Sequence, residues 1–188
     1  MILPIYIYGW PLLRKKSEDI TPDYPDLQQL IANMFETMYQ AEGCGLAAPQ
    51  IGQNIRLFVI DGSPMADEKD PNDMLRTFKK VFVNPVITKC TGNEWADNEG
   101  CLTFPKLRES VKRPWKVKIE YMDENFQPHS EEYEGVAARI IQHEYDHIEG
   151  IFFIDRLSPL RRKLITSKLN DVAKGKTESS YKIKLYKK

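Results

Sequence analysis

Residues 143–147 read His-Glu-Tyr-Asp-His and contain the side chains best suited to chemistry in this chain. Two of its three histidines, His143 and His147, lie four positions apart with Glu144 between them. Residues four apart share one face of a helix, so both imidazoles can reach one metal ion. Glu144 lies about 100° around the helix from His143, where it can reach a water on the ion without being a ligand. The pattern predicts a metal-dependent hydrolytic site.

A catalytic metal of this kind usually has three protein ligands and one open position. Cys101 is the favoured third ligand because it follows Gly100, which permits a close backbone approach. Cys44 and Cys90 are alternative candidates for the third ligand. Either could instead be a free cysteine that only packs in the core. Asp155 is a further possible ligand but has no special sequence context.

The segment 43–52, GCGLAAPQIG, is rich in small residues that let a substrate backbone come close. Gln50 within it offers an amide N–H that can bind a developing oxyanion. The segment has neither of the glycine patterns of nucleotide-binding loops. Taken alone, it is also compatible with a tight, well-packed turn.

The hydrophobic pattern predicts helices that bracket a group of strands. A helix at 25–40 has an apolar stripe, and a helix at 135–149 carries the histidine motif. A third helix begins after Ser158, a good N-cap that precedes Pro159, and ends at Gly175. Strands are predicted at 55–60, 81–90 and 115–122, without strand–helix alternation. These elements indicate an α+β fold with antiparallel or mixed strands around a central active-site helix.

The length of 188 residues fits one catalytic domain, predicted at 1–175. Residues 62–80 are polar and turn-rich and are predicted to be an exposed insertion. Residues 176–188 are predicted to be a basic C-terminal tail. Twenty-seven basic residues balance twenty-seven acidic ones, so net charge gives no nucleic-acid signal. From 161 onwards, ten basic residues face two acidic ones, which indicates either an anionic partner or a solvated helix face.

Cysteine usage and the N-terminus bear on the compartment. Three cysteines without repeated spacing do not form a disulfide pattern, which favours a reducing compartment. The apolar run at 2–13 is interrupted by Pro4 and Pro11, and its basic cluster follows it. This order is wrong for a signal peptide, and the run is too short for a membrane span. The sequence predicts a cytoplasmic protein.

Together the motifs resemble those of the peptide deformylase family. They are GCGLAAPQIG at 43–52, EGCLT at 99–103 and QHEYDHIEG at 142–150, in the family's order, and the opening at 2–14 is also similar. The resemblance extends from residue 2 to about residue 170. This chain has Cys44 where the family usually has an aliphatic residue, Thr103 for Ser and Ile148 for Leu. These departures concern pocket shape, because none removes a reactive group.

The resemblance implies a hydrolase that removes the N-formyl group from the N-terminal methionine of new polypeptides. It implies metal ligation by Cys101, His143 and His147. It also implies attack by a metal-activated hydroxide on the formyl carbon, with Glu144 as general base and then acid. Gln50 and the backbone N–H of Leu102 would hold the oxyanion.

The resemblance also implies the substrate contacts and partners. Six residues are expected at the substrate: Cys44, Gly45, Gly100, Arg108, Val136 and Ile140. Ferrous iron is the expected metal, and Zn²⁺, Ni²⁺ or Co²⁺ can also occupy such a site. The implied partners are N-formylmethionyl peptides and nascent chains. Separately from the resemblance, the basic charge of the helix at 159–174 predicts a contact with the ribosome. No DNA or membrane partner is expected.

Two other functions remain open from the sequence. A zinc endopeptidase shares the helix motif, although the thiolate ligand and the lack of a further histidine weigh against it. A non-catalytic zinc protein associated with the ribosome is suggested by the basic C-terminal segment. Loss or retention of function when Glu144 is replaced separates the second reading from an enzyme.

Overall fold

The computed structural model describes residues 1–186, which form seven strands and four α-helices. The strands are β1 (Ile5–Tyr6), β2 (Gly45–Ala47), β3 (Leu57–Asp61), β4 (Lys79–Cys101), β5 (Phe104–Met122), β6 (Pro128–Glu134) and β7 (Ile183–Lys184). The helices are α1 (Leu27–Gln40), α2 (Gly135–Ile148), α3 (Pro159–Leu164) and α4 (Thr166–Ala173).

The main sheet has five antiparallel strands in the order β2-β3-β4-β5-β6. Strands β1 and β7 form a separate parallel pair from the two ends of the chain. The predicted α+β class with mixed strand directions is confirmed. Within residues 1–186 no helix has both the length and the apolar character needed to cross a membrane.

Helix α1 lies against the β2–β3 side of the sheet. It was predicted at 25–40 and spans Leu27–Gln40. Its apolar stripe buries Ile31, Met34 and Met38 against Leu57 and Val59 of β3. Burial of this stripe fixes the helix on the sheet, since each large apolar side chain contributes about 1.5–3 kcal/mol when fully buried.

Helix α2 is the central helix, and it packs on β5, β2 and β3. It was predicted at 135–149 and spans Gly135–Ile148. Its end is fixed by a hydrogen bond from Ile151 N–H to the carbonyl of Asp146 at 2.9 Å. Gly150 there has a φ of +72°, which a side chain would strain. The helix therefore ends one residue after His147, the second of its two histidines.

The β4–β5 hairpin is longer than the sequence predicted. Strands were predicted at 81–90 and 115–122, whereas β4 continues to Cys101 and β5 begins at Phe104. The two-residue turn Leu102–Thr103 joins them, with Cys101 paired to Phe104. The extension carries Cys101 to the tip of the hairpin, beside α2. The strand predicted at 55–60 corresponds to β3, Leu57–Asp61.

The third predicted helix is correct at both ends but wrong in its middle. The Ser158 hydroxyl accepts a hydrogen bond from Arg161 N–H at 3.2 Å and caps α3. Gly175 has a φ of +72° after α4. Between them the helix divides at Ile165, whose φ and ψ are −93° and 0°. Ile165 is buried in one core cluster with Leu169 and Phe104.

Segment 62–80 is exposed along most of its length and contains two short 3₁₀ helices, Ser63–Met65 and Met74–Thr77. Leu75 and Phe78 are its anchors, because both are buried in the core beside Phe82 and Tyr133. Residues 176–186 of the predicted tail turn back along the molecule through β7, and Lys187 and Lys188 lie outside the described residues.

Candidate active site

Three side chains converge between the hairpin tip and the central helix. Cys101 ends β4, while His143 and His147 lie one turn apart on α2. One donor atom from each of the three lies within 4.8 Å of the others. Cys101 Sγ is 3.1 Å from His147 Nε2, and the two imidazole centroids are 5.2 Å apart. One sulfur and two nitrogens in this arrangement suit a divalent transition metal.

The rival ligands lie in other surroundings. Cys90 is exposed, and Asp155 is held by Arg14 and by the backbone N–H of Phe152 at 2.8 Å. Cys44 lines the cleft, but burial raises the pKa of its thiol to about 12, with a further contribution from the Glu144 carboxylate. A thiol that keeps its proton is a poor ligand. Cys101 is therefore the cysteine placed to bind a metal.

Glu144 lies beside this group with one oxygen unpaired. Among the described residues, its Oε2 and Nδ1 of His147 are buried side-chain atoms without a hydrogen-bond partner. Burial, partly offset by the charges of His143 and Arg113, raises the pKa of Glu144 to about 7. Gly45 gives the carboxylate its space, since a Cβ there would lie 2.8 Å from Glu144 Cγ. A buried carboxylate with a free oxygen fits a role in accepting a proton from a metal-held water.

The surroundings of the two histidines shift their pKa values in opposite directions. Burial and the charges of His143 and Arg113 hold the pKa of His147 well below its usual value, so its imidazole is neutral. Burial opposes a charge on His143 as well, but hydrogen bonds with Cys101 and Glu99 raise its pKa to about 10.

Gln50 is fixed with its amide directed at the ligand group. Its Oε1 accepts a hydrogen bond from Ala47 N–H at 2.8 Å, which leaves Nε2 facing Thr103 Oγ1 at 3.3 Å and Cys101 Sγ at 3.7 Å. Gln50 is buried in the 3₁₀ turn Ala48–Ile51. The threonine at 103 keeps the hydroxyl that steadies this amide.

One cleft of about 360 Å³ opens onto the ligand group. Its walls include all six residues that the sequence analysis expected at the substrate, together with Gln50, Leu102 and Glu144. Val136 and Ile140 come from α2, about two turns and one turn before His143, respectively. Tyr181, from the chain's C-terminal segment, also lines the cleft and had not been anticipated.

Comparison with known proteins identifies the family. Residues 2–163 match the family model described as polypeptide deformylase. The peptide deformylase of Christiangramia forsetii is 53% identical over 188 residues, which cover 98% of this chain and 96% of that protein. The chain belongs to the peptide deformylase family.

Solved deformylase structures share the fold. A crystal structure of a peptide deformylase from Legionella pneumophila superposes with a TM-score of 0.79 at 38% identity, covering 94% of this chain and 98% of that one. Arabidopsis thaliana peptide deformylase 1B in complex with an inhibitor gives 0.81 at 35% identity, covering 93% and 92%. The protein is thus a metal-dependent hydrolase that removes the N-formyl group from N-terminal methionine. Both alternatives, an endopeptidase and a non-catalytic zinc protein, are wrong.

The deformylase has a buried ionic network behind His143 that the sequence analysis did not predict. Nδ1 of His143 donates a hydrogen bond to Glu99 at 2.9 Å. Arg113, wholly buried, donates to Glu99 at 2.6 and 2.9 Å and to Asp146 at 2.8 Å. These contacts keep the pKa of Glu99 well below its usual range despite burial. The role of Glu99 could have been predicted from the sequence. A metal-binding histidine usually donates its other ring N–H to a carboxylate or another acceptor, and Glu99 is an acidic residue within the EGCLT motif.

Proposed function

We propose that Cys101, His143 and His147 bind the metal of this deformylase and that Glu144 is its general base and acid. The observation that carries the proposal is the convergence of three ligand atoms beside a buried carboxylate oxygen without a partner. The hydrogen bond from His143 to Glu99 supports it, since it fixes the tautomer that directs Nε2 at the ion.

A metal held by Cys101, His143 and His147 would lower the pKa of a bound water molecule. Glu144 would accept the proton of the attacking water and later donate it to the departing amine of the methionine. Its pKa of about 7 suits both directions of transfer near neutral pH. Burial of Glu144, which is 4% exposed, keeps bulk water away from the transfer.

Gln50 and the backbone N–H of Leu102 hold the oxyanion that forms on the formyl group. Gln50 is prepared for this role because Ala47 and Thr103 fix its amide before substrate arrives. A donor of this kind contributes about 3 kcal/mol to stabilisation of the transition state.

The substrate backbone binds along β2, next to Cys44 and Gly45. Strand β2 is at the edge of the main sheet, so its outer side is free to pair with an extended peptide. Val136 and Ile140 line the methionine side-chain pocket, with Arg108 and Gly100 at its rim. A formyl carbon carries only hydrogen, so a narrow site admits it and excludes larger acyl groups.

Ferrous iron is the metal we propose in cells, and Zn²⁺, Ni²⁺ or Co²⁺ can replace it in preparations. A thiolate ligand makes a ferrous site sensitive to oxidation. Protein purified without oxygen should contain about one iron per chain and lose activity in air. Anaerobic protein without iron, or activity unchanged by aeration, would contradict the assignment of iron.

The site assignment is tested by metal analysis and formate release together. Wild-type protein should release formate from a formyl-Met peptide and should not release acetate from the matched acetyl-Met peptide. Cys101→Ser, His143→Ala and His147→Ala should each lose metal and activity. Cys90→Ser, at an exposed cysteine away from the cleft, is the matched control and should keep both. Equal rates on the two peptides would overturn the proposed basis of selectivity.

We also propose that the protein acts in the cytoplasm on nascent chains and docks on the ribosome through α3 and α4. Leu160 and Leu164 are 70% and 66% exposed on α3, next to the basic Arg162 and Lys163. The two basic side chains suit an anionic partner such as the ribosome, and the two leucines can contact apolar groups on it. Arg162→Glu with Lys163→Glu should abolish co-sedimentation with ribosomes while deformylation of a free peptide is unchanged. Undiminished co-sedimentation would refute the docking surface.

A further inference from the structure

The C-terminal residues 177–186, which we name the C-terminal strap, lie across the N-terminal strand. Strand β7 pairs with β1 through a hydrogen bond from Ile5 N–H to the carbonyl of Lys182 at 2.8 Å. Trp10 Nε1 donates to the carbonyl of Lys184 at 2.9 Å and fixes the far end of the strap. Its ring also packs edge-on against Tyr186, with centroids 5.1 Å apart. The strap is thus held at several points.

Tyr181 is the residue of the strap that reaches the active site. Its hydroxyl donates a hydrogen bond to the backbone carbonyl of Leu102 at 2.7 Å. Its side chain also lines the cleft near Cys101, so the strap forms part of the cleft wall. The Tyr181 hydroxyl therefore binds the turn residue Leu102, which directly follows the proposed ligand Cys101 in the sequence.

The backbone conformation of the Leu102–Thr103 turn differs from that of favoured two-residue hairpin turns, so we expect contacts from outside the hairpin to stabilise it. Two-residue hairpin turns favour conformations with positive φ, because these match the twist of the strands. Among the described residues the positive φ values do not include Leu102 or Thr103. The pairing of β4 with β5 also shifts register between Gly100 and Cys101. The turn is thus not of the favoured hairpin type.

Both carbonyls of this turn accept hydrogen bonds from the ends of the chain. Tyr181 holds Leu102, and the backbone N–H of Tyr8 donates to the carbonyl of Thr103 at 3.0 Å. Strand β1, which leads into Tyr8, is itself paired with the strap. The two termini therefore clamp the turn between them.

We infer that Tyr181 is a positioning residue for deformylation. By holding the carbonyl of Leu102, it fixes the turn that joins β4 to β5 and so orients the Leu102 N–H and the Cys101 side chain. The inference deepens the proposed function, because it rests on the proposed roles of the Leu102 N–H and the Cys101 thiolate. The strap is accordingly a part of the catalytic unit.

The test compares two phenylalanine variants in the full-length protein. Tyr181→Phe keeps the ring in the cleft wall and removes the hydroxyl that binds Leu102. Tyr186→Phe is the matched control in the same strap, since Tyr186 packs on Trp10 away from the cleft. Three quantities are measured for each variant: kcat per bound metal and KM on a formyl-Met peptide, and the rate of Co²⁺ release to a chelator.

Tyr181→Phe should lower kcat per bound metal on the order of threefold to tenfold, the range expected for one hydrogen bond. KM should change little, because the oxyanion contact acts mainly in the transition state. Co²⁺ should be released faster by a similar factor. Tyr186→Phe should match the wild type in all three quantities.

Two results would overturn the inference. One is a Tyr181→Phe protein with wild-type kcat per bound metal and wild-type Co²⁺ release. The other is an equal loss in both variants, which would indicate a general effect of the strap on stability. Cys101→Ser separates this failure from failure of the proposed site: if it retains Co²⁺ as tightly as the wild type, the ligand set itself is wrong.

Discussion

The Nδ1–H of His143 donates a hydrogen bond to Oε2 of Glu99, 2.9 Å away. The same carboxylate accepts two hydrogen bonds from the wholly buried Arg113, which also binds Asp146 on α2. Glu99 therefore connects the hairpin to the central helix and orients a proposed ligand at the same time. The orientation of the imidazole and the docking of the helix depend on one side chain.

Replacing Glu99 should weaken metal binding. In Glu99→Gln the acceptor for His143 loses its charge, and metal affinity should fall about tenfold to hundredfold. Competition with a chelator measures the change. Glu109→Gln is the matched control. Glu109 is also a buried glutamate and lies opposite Glu99 in the hairpin, but its carboxylate binds Arg161 and not His143. Equal metal affinity in the two variants would show that Glu99 has only a structural role.

A methyl group at position 45 should disturb catalysis without unfolding the protein. In Gly45→Ala the new Cβ would lie 2.8 Å from Glu144 Cγ, so the carboxylate must move. Displacement by about 1 Å at such a site costs on the order of a hundredfold in rate. Gly43→Ala meets the flexible end of Leu102 at 3.0 Å and should lose less. A Gly45→Ala enzyme with wild-type kcat would refute the placement of Glu144.

Gln50 should affect the transition state more than substrate binding. Gln50→Leu removes the amide directed at Cys101 and should lower kcat about a hundredfold, with KM little changed. Thr103→Val removes only the hydroxyl that Gln50 Nε2 contacts at 3.3 Å and should cost much less. Steady-state kinetics on a formyl-Met peptide measures both. A larger loss in Thr103→Val than in Gln50→Leu would contradict the oxyanion role.

An ionic cluster remote from the cleft should give a pH-dependent part of stability. Despite partial burial, hydrogen bonds from Tyr121, Tyr133 and Lys80 lower the pKa of Glu131 to about 2. A lowered folded-state pKa stabilises the protein above the unfolded value of about 4.3, and the stabilisation is lost as pH falls towards 2. Glu131→Gln should therefore reduce the free energy of unfolding at pH 7 by about 1 kcal/mol, since the cluster is partly exposed.

Urea unfolding of the wild type and Glu131→Gln across pH 3 to 7 measures this difference. The difference in unfolding free energy between the two proteins should be constant from pH 7 to about pH 5 and should narrow below that. Glu132→Gln, at the neighbouring exposed position of β6, is the control and should show no such trend. A difference that stays constant down to pH 3 would contradict the lowered pKa of Glu131.

The helices and the two proposed histidine ligands were largely predictable from the sequence, because both depend on local spacing. The stripe in α1 and the four-residue spacing of His143 and His147 are properties of one helix each. Cys101 was harder, since spacing alone left Cys44 and Cys90 as rivals. Only the register of the β4–β5 hairpin brings Cys101 beside α2.

The features that sequence reasoning missed depend on tertiary contacts. Residues 91–98 of β4 are mostly exposed and polar. Their sequence therefore lacks the alternation of apolar and polar residues that would predict a strand. Arg113 and Glu99 are charged residues that are buried only because they pair with each other. The strap approaches the cleft through pairing between strands at opposite ends of the chain, which no local pattern predicts.

Formate release by Glu144→Gln, measured per bound metal, tests the central claim most directly. The variant keeps the shape of the side chain but cannot accept the proton from the attacking water. The proposed mechanism predicts wild-type metal content, a KM close to the wild-type value and a kcat lowered by about 10²-fold to 10⁴-fold. A Glu144→Gln protein with full metal content and wild-type kcat would contradict it.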